Sequence, residues 1–277
     1  MKRLLTVAVL FSTLTSLDAR PIIFASLPHA NIQRVFEDFS PMTNYLESAL
    51  HEKIEFRYEK QYDDIIEQFA TNKIDIAYFG PLPFLVLAKK FPSALPIVTF
   101  HESDGKNSYR CALVKFAKDT VDFKTQPRPK IALTQPLSTC GYTKTKILLK
   151  DYYHQDLSKM LYRYAGKHDE AALGVIRGDF LLAGIKESVA QEYKSLGLEI
   201  VSVSALLPGF TLVANTQTLS PEQIETIQKT LLQAPKEVYE TWGKELSHGM
   251  SKPDAALFNG HSMDLLEFDV PPSGNFK

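Results

Sequence analysis

The sequence predicts an α/β protein of two lobes, each a mixed sheet flanked by helices, with a cleft between them. Three observations lead there. Short β-rich runs alternate with amphipathic helical ones along most of the chain, which is the pattern of parallel βαβ units. The alternation breaks twice, near residues 100–107 and again near 205–208, at turn-rich stretches that would carry the chain between lobes. At 277 residues, 44% hydrophobic and 23% charged, the chain is long enough for two separate cores.

The start of the chain stands apart from the rest. Met1-Lys2-Arg3 is positive, Leu4 to Leu17 is apolar and small, and Leu17-Asp18-Ala19 ends on a small residue. The apolar run is too short to span ~30 Å of hydrocarbon as a helix. Charge, apolar core and small residue in that order define a secretory signal peptide over 1–19. No later run is apolar for long enough to cross a membrane, and no Cys lies near the cut for a lipid anchor.

From there the elements follow in order. Pro21 to Ala25 reads as a strand, Ile32 to Leu50 as a helix, and Ile54 to Tyr58 as an alternating strand. Tyr62 to Ala70 is amphipathic, Ile74 to Phe79 is a strand stopped by Gly80-Pro81, and Pro83 to Lys90 is a helix. Strands Leu95 to Phe100 and Tyr109 to Phe116 flank the turn chemistry of the first crossing. The second series runs through strand Lys130 to Thr134, a helix from Thr139, strand Met160 to Tyr164 and a helix from His168. Strand Phe180 to Leu182, helix Glu187 to Leu196 and strand Leu198 to Val203 complete it. After the second crossing come strand Phe210 to Asn215 and a helix announced by Ser220-Pro221-Glu222-Gln223, a capping box with Pro at the first helical position. The expected domains are therefore 20–102 with 207–277 for the first lobe, and 103–206 for the second.

Composition narrows the function. A formal net charge of −1 with interspersed signs leaves no basic stripe for nucleic acid or an anionic membrane. The seven His show no metal-ligand spacing, so neither metal nor cofactor is expected. Pro136-Leu137-Ser138-Thr139-Cys140-Gly141 follows a strand and opens a helix. Free N–H groups and the positive dipole end would welcome an anion there, although Ser-Thr is also an ordinary N-cap. His168 opens another helix, free either to donate to an anion or to cap in solvent. Tyr62, Tyr78, Phe79 and Tyr109 stand at strand ends and first helical turns, where α/β loops face a cleft, with core packing the plainer reading of Phe79. A hydrolase using Ser138 or Cys140 would need a base and an orienting group; His168 qualifies for the first, but no carboxylate is evidently placed behind it.

Taken together, these segments resemble the phosphate/phosphite/phosphonate-binding proteins, periplasmic substrate-binding components of ABC transporters. Four stretches carry the resemblance, in the family's order: Gln61 to Glu67, Asn72 to Pro81, Pro136 to Gly141, and Gly166 to Leu173 with Gly178 following. The resemblance implies a type II periplasmic-binding-protein fold and no enzymatic activity. It also implies a small oxyanion held by Ser138, Thr139, the 140 position and His168, covered by Tyr62 with Tyr78 or Phe79. Delivery to an ABC permease follows from it, or partnership with a sensor histidine kinase, the protein acting as a monomer. Two departures stand out: Leu181 replaces a family acidic residue, and Leu207 to Phe210 lacks another. On that ground an aminoalkyl phosphonate is not the expected ligand. Cys140 replaces a family Ser, and three readings stand for it: a disulfide with Cys111, two unpaired thiols, or a thiol contact to arsenite or a sulfur oxyanion.

Overall fold

The computed structural model describes residues 20–28, 32–126, 128–259, 263–267 and 269–276; the segment read as a signal peptide, 1–19, lies outside them. In the first lobe the chain lays down β1 (Ile22–Ser26), α1 (Ile32–Leu50), β2 (Ile54–Arg57), α2 (Tyr62–Ala70), β3 (Ile76–Phe79), α3 (Pro81–Lys90) and β4 (Ala94–Phe100). β1 pairs in parallel with both β2 and β3, as right-handed βαβ units require. The chain then passes through β5 (Ser108–Tyr109) into the second lobe. There it forms β6 (Cys111–Phe116), β7 (Lys130–Leu133), α4 (Tyr142–Tyr153), β8 (Leu161–Tyr164), α5 (His168–Ile176), β9 (Leu182–Lys186), α6 (Glu187–Glu192) and β10 (Leu198–Val203). It returns through β11 (Leu207–Pro208) to β12 (Thr211–Asn215), α7 (Pro221–Leu232), α8 (Lys236–Tyr239), β13 (Met250–Ser251) and α9 (Ala255–Phe258).

Two larger sheets result. One has strand order β13-β4-β12-β3-β1-β2, the other β10-β6-β9-β7-β8. β5 and β11, from the two crossings, pair with each other as a separate two-stranded ribbon. The sequence reading runs β5 and β6 together as one strand; Arg110 breaks them, its guanidinium donating to the Ser204 carbonyl of the other crossing at 2.6 Å.

Strand alternation in the first sheet decides which aromatics reach the cleft. Ile76 and Tyr78 of β3 join the cluster of Val35, Phe39, Met42 and Leu46 from α1 and Ile227 and Leu231 from α7. Ala77 and Phe79 face the opposite way, into the cluster of Ile65, Phe69, Leu82 and Leu85 under α2 and α3. The lobe's sheet is thus covered on both faces. Beneath it, the buried Asp75 carboxylate accepts two bonds from Arg20, at 2.7 and 2.8 Å, and one from the Ile23 amide. Burial alone would raise this carboxyl; Arg20 and the amide more than reverse that and hold it below its ordinary range.

In the second sheet β9 lies between β6 and β7, so the strand of Cys111 and the strand before Cys140 are not neighbours. Cys140 nevertheless reaches Cys111, because the turn leading into α4 crosses over β9 at Gly184. A Cβ there would overlap the Thr145 hydroxyl and come within 2.8 Å of the Cys140 carbonyl oxygen, so only glycine permits the close approach. The two cysteines are joined as a disulfide, and both are buried.

The tail, read from sequence as part of the first lobe, ends elsewhere. Asn275 exchanges backbone and side-chain bonds with Tyr162 and Met160, and the Tyr164 hydroxyl donates to the Pro271 carbonyl. Residues 271–276 therefore lie along β8 in the second lobe.

Candidate functional site

Parallel strands direct the helices that follow them to one end of each sheet, and in both lobes that end faces the cleft. A cavity of about 360 Å³ opens there. Its wall takes residues from the starts of four helices: Tyr62 of α2, Gly80 and Pro83 at α3, Ser138 to Cys140 before α4, and Gly166 to Asp169 at α5. None of these four helices has a side-chain hydrogen bond at its N-cap. α7, away from the cleft, has a complete capping box in which Ser220 and Gln223 satisfy each other. α2, α4 and α5 thus leave their first N–H groups and positive dipole ends to the cavity, whereas α3 opens with Pro81 and Pro83, which carry no N–H, and its Leu82 amide is taken by Thr139.

The turn before α4 repeats the theme. Its Ser138 amide is used within the turn, donating to the Gln135 carbonyl at 3.1 Å. Among the described residues the amides of Thr139 and Cys140 have no hydrogen-bond partner. The Thr134 hydroxyl at the end of β7 is buried and unpartnered, and it lines the same cavity. Ser138 is 8% exposed and lines the same cavity.

Thr139 differs from expectation. Its hydroxyl accepts the Leu82 amide at the start of α3, across the cleft, at 3.1 Å, and is hydrogen-bonded to Tyr109 as well. It ties the lobes together, leaving its amide rather than its hydroxyl to face a guest. The Cys140 side chain is spent in the disulfide, so the thiol-contact reading is withdrawn: only the backbone of 140 can serve a ligand.

His168 is oriented by the strand beside it. Its Nδ1 accepts the backbone N–H of Lys186 at 3.0 Å. An imidazole that accepts at Nδ1 carries its proton on Nε2. Burial and then the Lys186 charge push its pKa down to about 4, so it is neutral near pH 7. It is therefore a fixed, uncharged donor lining the cavity.

Of the other expected residues, Tyr62, Tyr78 and Tyr109 line the cavity. Burial raises all three hydroxyls above the ordinary tyrosine value and keeps them protonated. Phe79 does not line it. It is fully buried against Phe69, because it follows Tyr78 on a pleated strand and so points to the other face. Leu181 does not line the cavity either; it is packed at the margin of the second lobe's core.

Three charged residues near the site escape sequence reasoning. Lys186 ends β9, 8% exposed, with its ammonium 2.7 Å from Glu102 and 3.7 Å from Glu245. Burial would lower the ammonium, but the two carboxylates raise it above its ordinary value. For Glu102 burial prevails over Lys186, since two carboxylates share one cation, and its pKa rises. The sequence pattern ends this strand at Leu182, whereas β9 runs over Leu182–Lys186 and carries Lys186 to the site. A lysine closing the apolar run Leu181 to Ile185 was the available signal, for such a residue needs a buried partner. At the mouth, charges are paired: Arg34 with Asp38 within α1, and Lys244 of the first lobe with Glu192 of the second at 3.0 Å. Among the described residues no cluster of His, Cys, Asp and Glu could hold a metal ion, and no helix is long and apolar enough to cross a membrane.

Two sheets flanked by helices, joined by a crossing ribbon and enclosing a cleft of helix N-termini, define a periplasmic binding protein fold. Solved structures agree. The methylphosphonate complex of PhnD1 from Prochlorococcus marinus matches with a TM-score of 0.72 at 13% identity, covering 88% of this chain and 96% of that one. The binding-protein component of an ABC phosphonate transporter from Pseudomonas aeruginosa matches at 0.66 and 18%, over 85% and 82%. The phosphate-import protein PhnD of Mycolicibacterium smegmatis is 24% identical over 231 residues, 76% of this chain and 71% of that protein. Residues 24–254 match the family of phosphonate periplasmic substrate-binding proteins of ABC transporters, and the chain belongs to that family. It is a solute-binding protein, not an enzyme.

Proposed function

We propose that this protein captures a compact oxyanion of the phosphate, phosphite or alkylphosphonate type in the periplasm and delivers it to an ABC permease and its ATPase. The observation that carries this reading is the convergence of three helix N-termini without side-chain caps, those of α2, α4 and α5, on one cavity, beside an orphaned Thr134 hydroxyl and a neutral His168. In this reading the Ser138 and Thr134 hydroxyls, the amides of Thr139 and Cys140, and His168 Nε2 donate to the anion. Tyr62, Tyr78 and Tyr109 wall it in. Each bond to a charged acceptor contributes about 1.5–3 kcal/mol, so a few of them support micromolar capture after ordering costs. Neutral donors suit a shuttling protein, because the anion leaves without separating from a fixed counter-charge.

Residues 1–19 serve as the export signal, and the disulfide fits the oxidising compartment that export implies. The relatives' ligands support the class: the Prochlorococcus structure holds methylphosphonate, and the mycobacterial relative is named for phosphate. A sensor role beside a histidine kinase would use the same fold; its arsenite or sulfur-thiol form loses its basis with the disulfide. A thermal-shift screen of phosphate, phosphite, methylphosphonate, sulfate and thiosulfate tests the proposal. At least one phosphorus oxyanion should raise the melting temperature by mass action. If none does, the proposal fails.

A further inference from the structure

The Lys186 ammonium occupies a cage. Its Nζ lies 5.2 Å from the Tyr109 ring centre and 5.4 Å from that of Phe210, within 4 Å of both Glu102 and Glu245. Phe210 is itself stacked on Tyr78, with ring centres 5.3 Å apart. Aromatic faces and two carboxylates around one small cation make a site for a primary ammonium. Every wall of that site comes from the first lobe or the crossings, while the cation comes from β9 of the second. The cage also opens on the cavity that holds Ser138 and His168, since Tyr109, Lys186, Phe210 and Glu245 line both.

We infer that Lys186 is a tethered counter-ion that fills the ammonium-binding half of the cleft and so determines specificity. With Lys186 in place, a guest bearing its own ammonium meets a like charge and finds both carboxylates already engaged, which disfavours it. Guests without a basic substituent meet no such penalty. Removing the side chain leaves the largely buried Glu102, the more exposed Glu245 and the aromatic faces without that cation, and a zwitterionic aminoalkyl phosphonate supplies one while keeping its oxyanion at Ser138 and His168. The anionic half of this statement rests on the function proposed above; the cage does not.

Calorimetric titration of ethylphosphonate and 2-aminoethylphosphonate, which differ only by the terminal amine, reads the preference directly. The wild type should favour ethylphosphonate by about tenfold or more, and Lys186→Ala should reverse the order by a similar factor. Adding Glu102→Gln and Glu245→Gln to Lys186→Ala should remove the gain. An unchanged preference in Lys186→Ala overturns the inference. Methylammonium chloride, compared with sodium chloride at equal ionic strength, tests the cage without any anion site. It should raise the melting temperature of Lys186→Ala and leave the wild type unmoved. If Lys186→Ala is unfolded alone, methylammonium should restore its fold where sodium does not. No effect of methylammonium on Lys186→Ala refutes the cage whatever the phosphonates do. Stabilisation by methylammonium, with no phosphonate bound by any form, would instead leave the cage standing and sink the oxyanion reading.

Discussion

At the scale of single residues, the cleft works through groups whose protonation the fold has set. His168 is the clearest. Its pKa falls from 6.5 to about 4 in the folded protein, so below pH 6.5 the unfolded chain binds a proton that the folded chain does not. Stability should therefore be fullest above pH 6.5 and fall by roughly 3 kcal/mol as the pH drops toward 4. The raised Glu102 works in the opposite sense, so the comparison to make is wild type against His168→Asn. Denaturant melts at pH 7 and 4.5 should show a shallower loss in the variant; equal slopes would mean that His168 titrates as in solvent. His168→Ala should also weaken the best anion about ten- to a hundredfold by titration calorimetry, the value of one hydrogen bond to a charged acceptor. Ser138 and His168 were legible in the sequence because each opens a helix, and helix-start chemistry is local. Lys186, Glu102 and Glu245 come from three distant parts of the chain, and nothing local brings them together.

Elements were legible where their periodicity is strong. α1, at Ile32–Leu50, and α2, at Tyr62–Ala70, have the bounds that their apolar spacing predicts, and the α7 capping box forms as read. β9 was not, because Gly184 looks like a break in a strand; its reason is the turn that crosses it, a contact no local pattern encodes. The same turn is held by the Cys111–Cys140 bond, which closes a loop of 29 residues in sequence. A loop of that size stabilises a fold by about 3–4 kcal/mol through the entropy it removes from the unfolded chain. Dithiothreitol, or the paired change Cys111→Ser with Cys140→Ser, should lower the melting temperature. It should also weaken anion capture, since the amides of 139 and 140 lose their anchor. A melting point that falls with affinity intact would show that the turn keeps its shape unaided.

For the whole molecule, the question is what holds the lobes against each other. Among the described residues the bridging contacts include the Leu82 amide on the Thr139 hydroxyl, the Gln135 side-chain amide on the Pro28 carbonyl, Lys186 with Glu102 and Glu245, and Lys244 with Glu192. Gln135, Thr139, Lys186 and Glu245 all line the cavity, so closure and guest capture share the same residues. The tail adds a link, running from β13 in the first sheet to β8 in the second. Deleting residues 271–277 exposes the Tyr162 and Met160 backbone groups that Asn275 satisfies, and should destabilise the protein by about 1–3 kcal/mol in denaturant melts. An unchanged midpoint would make the tail ornamental. The two-lobe arrangement was readable from the alternation of strands and helices, whereas the path of the tail was not, since few apolar residues mark it.

The central claim is that uncapped helix starts and a neutral His168 receive an oxyanion between the lobes, and a crystal structure with the best anion of the thermal screen tests it most directly. The account predicts the guest's oxygens within hydrogen-bond distance of the Ser138 hydroxyl, the Thr139 and Cys140 amides and His168 Nε2. A guest bound outside the cleft, or inside it with those donors turned to other partners, would contradict it.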